Sequence, residues 1–389
     1  MDFDVVIIGS GPAGLCFARS LAGQGLRIAV LERQGKDALV NPIFDGREIA
    51  LTQRSSKRMR ELGLWERIDV EAIAPLRDAK VLNGPSLFAL QIDHRDGGGE
   101  ELGYLVSNYR IRKAAYEAVA DLPDITLMTD VQVKGVSTND DCANITLGNG
   151  EMIRARLLAA ADNRFSETRR MMGIAANMHD FGRTMLVCVM THDVPHQHVA
   201  WEWFDYGQTL ALLPMNGPQS SVVITLPPEE MARLMAMDDH TFSLEVQTRF
   251  KQRLGNMQLT STRHTYPLVT VYPQRFVAKR FALIGDAAVG MHPVTAHGFN
   301  FGLEGIAVLS REIIQAHRAS QSIAADAMLA RYEQTHRRAT MPLFVATHAI
   351  AKLYGDDRLP ARLLRNVALR LSRIPPFRRA VARTLTAIS

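Results

Sequence analysis

Residues 9 to 14 read GSGPAG, and their types and spacing suit an anion approaching backbone amides. Gly9 permits a tight turn, Gly11 lets amides approach a pyrophosphate, and Gly14 lets a following helix lie close to the preceding strand. The free N–H groups and positive end of that helix then face the anion. Glu32 comes eighteen residues after Gly14. A carboxylate there accepts hydrogen bonds from ribose hydroxyls and argues against a 2′-phosphate, so the site suits FAD or NAD better than NADP.

A second glycine-punctuated segment, IGDAAVGMHPVTAHGFNFG at 284 to 302, decides between those two. Asp286 follows Gly285 at the carboxyl end of the apolar run FALIG, where open α/β sheets bind ligands. From there it could hydrogen-bond the ribityl chain of a flavin whose ADP half lies on the first turn. HGFNFG then opens a helix in which Gly298 and Gly302 admit amides close to the ligand, beside the anionic edge of a reduced flavin. An NAD enzyme has no need of this second site. The competing readings are a chance glycine turn at the first motif and, at the second, a turn with an N-capping aspartate.

The elements that must position these residues are legible around them. DVVIIG, residues 4 to 9, is a short β-branched run that passes through the glycine turn into the helical pattern AGLCFARSLAGQG; RIAVLER follows as a second strand ending in an acid. Together they make a βαβ unit of about 30 residues. ANITLGNGEMIRARLLAAAD reads as two strands around a Gly-Asn-Gly turn, the second ending at Asp162. From about 183 to 276 the texture changes to strand-like runs joined by turns, with one helical stretch over roughly 228 to 254. This predicts an antiparallel sheet inserted into an α/β framework.

At 389 residues and 47% hydrophobic content the chain is long enough for two intertwined domains. Cys16, Cys142 and Cys188 form no CxxC pair, so neither a disulfide framework nor a zinc knuckle is indicated. His192, His196 and His198 lack the helical spacing of a metal site, so no metal is expected. The net charge is +5, yet residues 352 to 389 alone carry +7, leaving about −2 for the rest. A nucleic-acid binder would more usually carry that charge on its folded body, with aromatic residues interleaved. No basic leader precedes the first strand, and no apolar run approaches the ~20 residues of a membrane span. The expectation is a cytoplasmic protein, soluble or peripheral on the inner face of the membrane.

GSGPAG with Glu32 and Arg33, AADNRFSETRRMMGI at 160 to 174, and the 284 to 302 segment together resemble the three motifs of FAD-dependent aromatic hydroxylases with the p-hydroxybenzoate hydroxylase fold. GREIALTQRSSKRMRELGLWERI at 46 to 68, LGYLVSNYRIRKAAYEAV, TYPL and the tail are similar to the UbiH/UbiF/UbiM group of ubiquinone-biosynthesis hydroxylases. The resemblance covers nearly the whole chain. It implies an α/β FAD-binding Rossmann-like domain of the glutathione-reductase type (1–75, 103–180 and 277–350). It also implies an inserted, mainly antiparallel β-sheet substrate domain (76–102 and 181–276) and C-terminal helices over 351–389. Gly9, Gly11, Gly14 and Glu32 would hold the AMP half, with Arg33 beside it and the Val131 backbone touching adenine. Arg47 and Arg112 would stand near the flavin and its phosphates, with Arg110 a competitor for the role of Arg112. Asp286 would hold the ribityl chain, and Pro293, Gly298 and Asn300 would line the isoalloxazine. His297 and Pro293 are the flavin-adjacent candidates for catalysis. Where many relatives have Asp-Gly this chain has Asp162-Asn163, and Asn tolerates the positive φ such a turn would need.

The implied cycle is reduction of FAD by NADH or NADPH bound transiently, addition of O₂ to give a C4a-hydroperoxide, and hydroxyl transfer to a polyprenylated phenol or quinol such as demethoxyubiquinol. Other readings are another aromatic hydroxylase or a double-bond reductase on this fold, or a non-catalytic subunit of a quinone-synthesis complex. Met185, Val187, Trp201, Trp203, Leu212 and Pro214 are expected to line the substrate pocket, and spacing singles out no general base. In PARLLRNVALRLSRI the apolar residues recur at steps of 3 and 4 with arginines on another face. Such a helix suits an anionic membrane surface, a partner, or the chain's own FAD domain.

Overall fold

In a computed structural model the described residues are 1–84, 89–97 and 100–355. The first sheet grows from apolar runs buried on both faces, which is the pattern of strands covered by helices on either side. In chain order its parallel strands are β1 (Phe3–Ile8) and β2 (Ile28–Leu31). Strands β3 (Glu48–Thr52) and β4 (Gly103–Ser107) belong to a small separate sheet, with β4 in its middle, between β3 and Ala74–Leu76. The first sheet resumes with β5 (Ile125–Met128) and β6 (Met152–Ala160).

The second sheet comprises β7 (Ala176–His192), β8 (Val199–Asp205), β9 (Gln208–Pro214), β10 (Gln219–Leu226) and β11 (His264–Pro273). The chain then returns to the first sheet as β12 (Phe281–Leu283). The first sheet's spatial order is β12-β6-β1-β2-β5, all parallel, with Val5 facing both Leu157 and Ile28. Its carboxyl ends therefore deliver Gly9, Glu32, Asp162 and Asp286 to one edge, where such sheets bind ligands.

Three helices matter to that edge. Helix α1 (Pro12–Leu21) begins with proline at its first position, where a missing N–H costs nothing. Two others, α2 (Pro228–Met235) and α3 (Asp239–Arg249), cover the second sheet; the single helical stretch expected over 228 to 254 is broken because Asp238 caps α3, accepting from the His240 and Thr241 amides. Helix α4 (Gly298–Arg318) packs along α1, and α5 (Asp326–Gly355) braces β12, where the buried Tyr332 hydroxyl donates to the Leu283 carbonyl at 2.6 Å. The basic tail expected to be helical lies, from residue 356 onward, outside the described residues; 351–355 are the last turn of α5.

The second sheet runs β7-β10-β9-β8 and continues through strand Asp78–Asn83 to Leu90–Ile92, with β11 on the far side of β7. Every pair is antiparallel except β8 with Asp78–Asn83. One face buries Leu186, Cys188, Trp203, Leu212 and Ile224 against Phe242 and Val246 of α3. Period-2 alternation leaves the other face, carrying Met185, Val187, Glu202 and Phe204, turned toward the first sheet's carboxyl edge.

Candidate functional site

The N-terminal turn is a tightly fitted cradle. Gly9 has φ +104°, and a Cβ on it would lie 2.6 Å from the Ala161 carbonyl oxygen. A Cβ on Gly14 would come within 1.9 Å of the Gly9 oxygen, so α1 seats directly on the turn. Around Gly11, by contrast, nothing lies within 4 Å of the place a Cβ would occupy. No side chain caps the start of α1, leaving its first amides to whatever fills that space. Glu32 is fixed at the end of β2: one oxygen accepts from the Ser10 amide (2.9 Å) and hydroxyl (2.7 Å), the other from the Gln34 amide (2.8 Å). The first, Oε2, thus has both lone pairs engaged, while Oε1, with a single bond made, keeps one for an incoming donor.

The second turn meets the first. Gly285, at φ +58°, approaches α1 so closely that a Cβ on it would stand 2.6 Å from Ala13 Cβ. Asp286, beside it, accepts a 3.0 Å ion pair from Arg164, whose other nitrogen donates to the Val269 carbonyl. Helix α4 likewise starts without a side-chain cap, and Gly298 sits where its Cβ would be 3.8 Å from Asp286 Oδ1. Two uncapped helix starts thus open onto one cavity of about 1230 Å³. Gly11, Glu32, Arg33, Arg47, Arg112, Asp286, Pro293 and Gly298 all line it.

The helix carrying the two competing arginines resolves them: Arg112 lines the cavity and reaches Gln34 at 3.4 Å, while Arg110 points away to Asp69. Arg47 pairs with Asp45 at 2.6 Å and lies over the Tyr266 ring. Burial works against its charge, but Asp45 more than offsets this and holds the guanidinium above its ordinary value. Val131 stands behind the lining, its amide donating to the Glu32 carbonyl at 2.9 Å.

Several expectations are corrected. The Asn300 side chain lies outside the cavity lining; its amide donates to Ala50 and Ala296 carbonyls and accepts from the Thr52 amide, tying α4 to β3. His297 is buried against Phe301 behind the lining, and the histidine that faces the cavity is His292. Burial, with help from Arg164 and His348, pushes His292 down to about 4, so it is neutral near pH 7. Asn163 adopts no positive φ; its side chain accepts from the Phe165 amide at 2.7 Å. On the sheet, Met185 and Val187 line the cavity, but Trp201, Trp203 and Leu212 belong to the opposite, helix-covered face and Pro214 is absent from the lining.

Sequence reasoning passed over Arg164, Glu48 and Glu202. The signal for Glu202 was present, a lone acid in the middle of the apolar run VAWEWF. Glu48 lines the cavity, and its carboxyl accepts from Ser107 at 2.6 Å. Burial, opposed by Ser107 and aided by Asp45, raises it from 4.5 to about 7. The folded protein therefore binds more protons than the unfolded chain between those values, so stability falls as pH rises through the window. Glu48→Gln, which keeps an acceptor for Ser107, is expected to be more stable than wild type at about pH 8 and to lose that advantage near pH 4.5. Urea denaturation at the two pH values checks this.

A family described as FAD binding domain matches residues 2–345. The ubiquinone hydroxylase UbiM of Neisseria meningitidis serogroup C is 45% identical over 388 residues, 98% of this chain and 84% of that protein. The chain belongs to the FAD-binding family, among the ubiquinone hydroxylases. The ubiquinone hydroxylase UbiL of Rhodospirillum rubrum is 32% identical over 98% of this chain and 88% of its own length. Among solved structures, p-nitrophenol 4-monooxygenase PnpA from Pseudomonas putida superposes with a TM-score of 0.80 at 18% identity, covering 99% of this chain and 98% of that one. At that identity the likeness speaks for the FAD-dependent monooxygenase fold alone. FAD fits the residues present: an open cradle at Gly11, two uncapped helix starts, and a buried Asp162 oxygen with no partner among the described residues, all facing one cavity. No helix among the described residues is long and apolar enough to cross a membrane.

Proposed function

We propose that the protein is an FAD-dependent monooxygenase that hydroxylates the aromatic ring of a polyprenylated phenol or quinol, such as demethoxyubiquinol, in ubiquinone biosynthesis. The observation that carries this reading is the contact of Gly285 with Ala13, which makes a single cavity out of two turns remote in sequence. Gly9, Gly11, Gly14 and Glu32 would hold the AMP half, with Arg33 and the Val131 backbone near adenine and Arg47 and Arg112 near the phosphates and flavin. Asp286 would accept from the ribityl hydroxyls. Pro293 and Gly298 would lie against the isoalloxazine, and Asn300 would act indirectly, by holding the start of α4 in place.

When bound, FAD supplies the redox chemistry that activates O₂. The chain's own contribution is position, dryness and charge. The α4 amides favour negative charge at the ring edge beside them. The sheet face bearing Met185, Val187, Leu213 and Val223 excludes water and offers an apolar floor to the substrate ring. NADH or NADPH would bind transiently, since the sequence has one complete dinucleotide fingerprint. The basic residues of the tail suit a substrate that lives in the membrane, with the protein peripheral on its inner face.

Incubation of the flavin-loaded protein with reductant, isotopically labelled O₂ and a prenylated phenol tests the reading. One labelled oxygen in the product, found by mass spectrometry, is the expected result. A product with two added hydrogens and no oxygen would point to a double-bond reductase, and flavin binding without turnover would point to a non-catalytic subunit.

A further inference from the structure

The floor of the cavity is apolar with one exception in its central row. From β8 across to β7 the paired residues are Glu202, Ala211, Val223 and Val187. At about 4.8 Å per strand this row is roughly 14 Å wide, enough for a substituted ring. Its far end is closed by the Gly46 loop, where a Cβ would be 2.7 Å from Val187. Its near end is the Glu202 carboxyl. That side chain has neither hydrogen bond nor ion pair among the described residues. A second polar group on the same floor, the buried Ser221 hydroxyl, also lacks a partner among them. The Ser221 hydroxyl, buried and unpaired, costs stability unless a ligand brings the missing partner, and the half-buried Glu202 carboxyl is open to the same cavity.

The charges that line the cavity around β8 are cations: Lys352 at the end of α5, and Arg183 of β7, which donates to the Gly207 carbonyl at the β8–β9 turn at 2.7 Å. Lys80, on the neighbouring strand, lies over the Trp201 ring on the opposite face. Strand β9 presents Thr209, Ala211 and Leu213 on the cavity face. The end of α5 brings Lys352 and Tyr354, the latter with its ring 3.9 Å from that of Phe204.

Resting on the function proposed above, we infer that Glu202 is the catalytic base of this site, its carboxylate taking the proton from a ring hydroxyl of the bound phenol. The phenol O–H bond breaks and leaves its electron pair on the phenol oxygen. The proton forms a new O–H bond on Glu202, and nothing is oxidised or reduced in this step. The phenolate so formed pushes electron density into the ring carbon that must attack an electrophilic oxygen. Burial raises the Glu202 carboxyl to about 8. That brings it within about two units of an ordinary phenol, so the transfer is far less uphill than to an unperturbed carboxylate.

The test uses full-length, FAD-loaded protein and a short-chain prenylated phenol. In wild type, kcat/KM is expected to rise with pH through about 8. In Glu202→Gln, kcat should fall about 100-fold or more and that rise should vanish, with flavin content and KM changed less than about threefold. Glu202→Asp, which keeps a displaced carboxylate, should recover part of the rate and the pH dependence; it carries the test if the Gln variant fails to fold. Tryptophan fluorescence gives a readout independent of turnover: the flavin-free protein should bind the phenol about tenfold tighter than its methyl ether, and Glu202→Leu should lose that preference. A Gln variant with kcat within about threefold of wild type, or with the same rise, overturns the assignment while leaving the hydroxylase reading intact. Wild type that adds no oxygen to the phenol overturns both.

Discussion

Gly14→Ala is expected to yield protein that retains almost no flavin, whereas Gly11→Ala is expected to fold normally and bind flavin weakly. The two glycines are three residues apart and fail for different reasons. A methyl on Gly14 would be driven to 1.9 Å from the Gly9 oxygen, and neither partner can give way. Both are backbone, Gly9 is already at φ +104°, and on its other side the Ala161 carbonyl leaves no room. Helix α1 must therefore lift off the strand, carrying its amides away from the cavity. Overpacking of this kind costs about 1–3 kcal/mol, occasionally more. A methyl on Gly11 meets no protein atom within 4 Å, so the fold is untouched, but it projects into the space a pyrophosphate would occupy. Flavin absorbance per protein, with the thermal midpoint measured beside it, separates the two. Gly14→Ala should lower both, by about 100-fold in flavin affinity and several degrees in midpoint. Gly11→Ala should lower the first alone. Wild-type flavin content in both variants would mean that the turn is not where the cofactor sits.

The contrast between those glycines was legible in the sequence because each does a backbone job that a motif encodes. Other parts were less so. The inner strands of the first sheet announced themselves by continuous apolar runs such as DVVIIG, and the second sheet by alternation. Alternation divides β8 into two faces without saying which one meets the cavity, since both bury an aromatic ring: Trp203 is covered by α2 and α3, Phe204 by the end of α5. Large aromatic residues suggested the tryptophan face, and the structure gives the cavity to Glu202 and Phe204. The charge in an otherwise apolar strand was the better guide, because an unpaired acid tolerates burial only where something approaches it. Asn300 shows a different limit. Of its three partners Ala296 is local, but Ala50 and Thr52 are met only once β3 and α4 have come together, a long-range event that no local pattern reports. The choice between Arg110 and Arg112 was likewise local in spacing but tertiary in cause, with Asp69 engaging one and Gln34 the other.

Removing Asp286 gives the other large effect and bears on the second turn. In the proposed site its carboxylate accepts from ribityl hydroxyls while Arg164 holds it from behind at 3.0 Å. A hydrogen bond to a charged acceptor contributes about 1.5–3 kcal/mol, and each 1.4 kcal/mol is tenfold in affinity. Asp286→Ala is therefore expected to weaken FAD binding by about 10- to 100-fold. Arg164 would be left with only the Val269 carbonyl, a partly exposed cation that water can satisfy. Asp286→Asn keeps an acceptor for the ribityl chain but loses the charge, so its affinity should fall between wild type and the alanine variant. Flavin affinity measured by fluorescence quenching ranks the three. Arg164→Ala provides the control: it removes the same ion pair from the other side, and affinity should drop far less, because the carboxylate remains to meet the flavin. Equal losses in Asp286→Ala and Arg164→Ala would make the ion pair, and not the ribityl contact, the reason Asp286 stands beside Gly285.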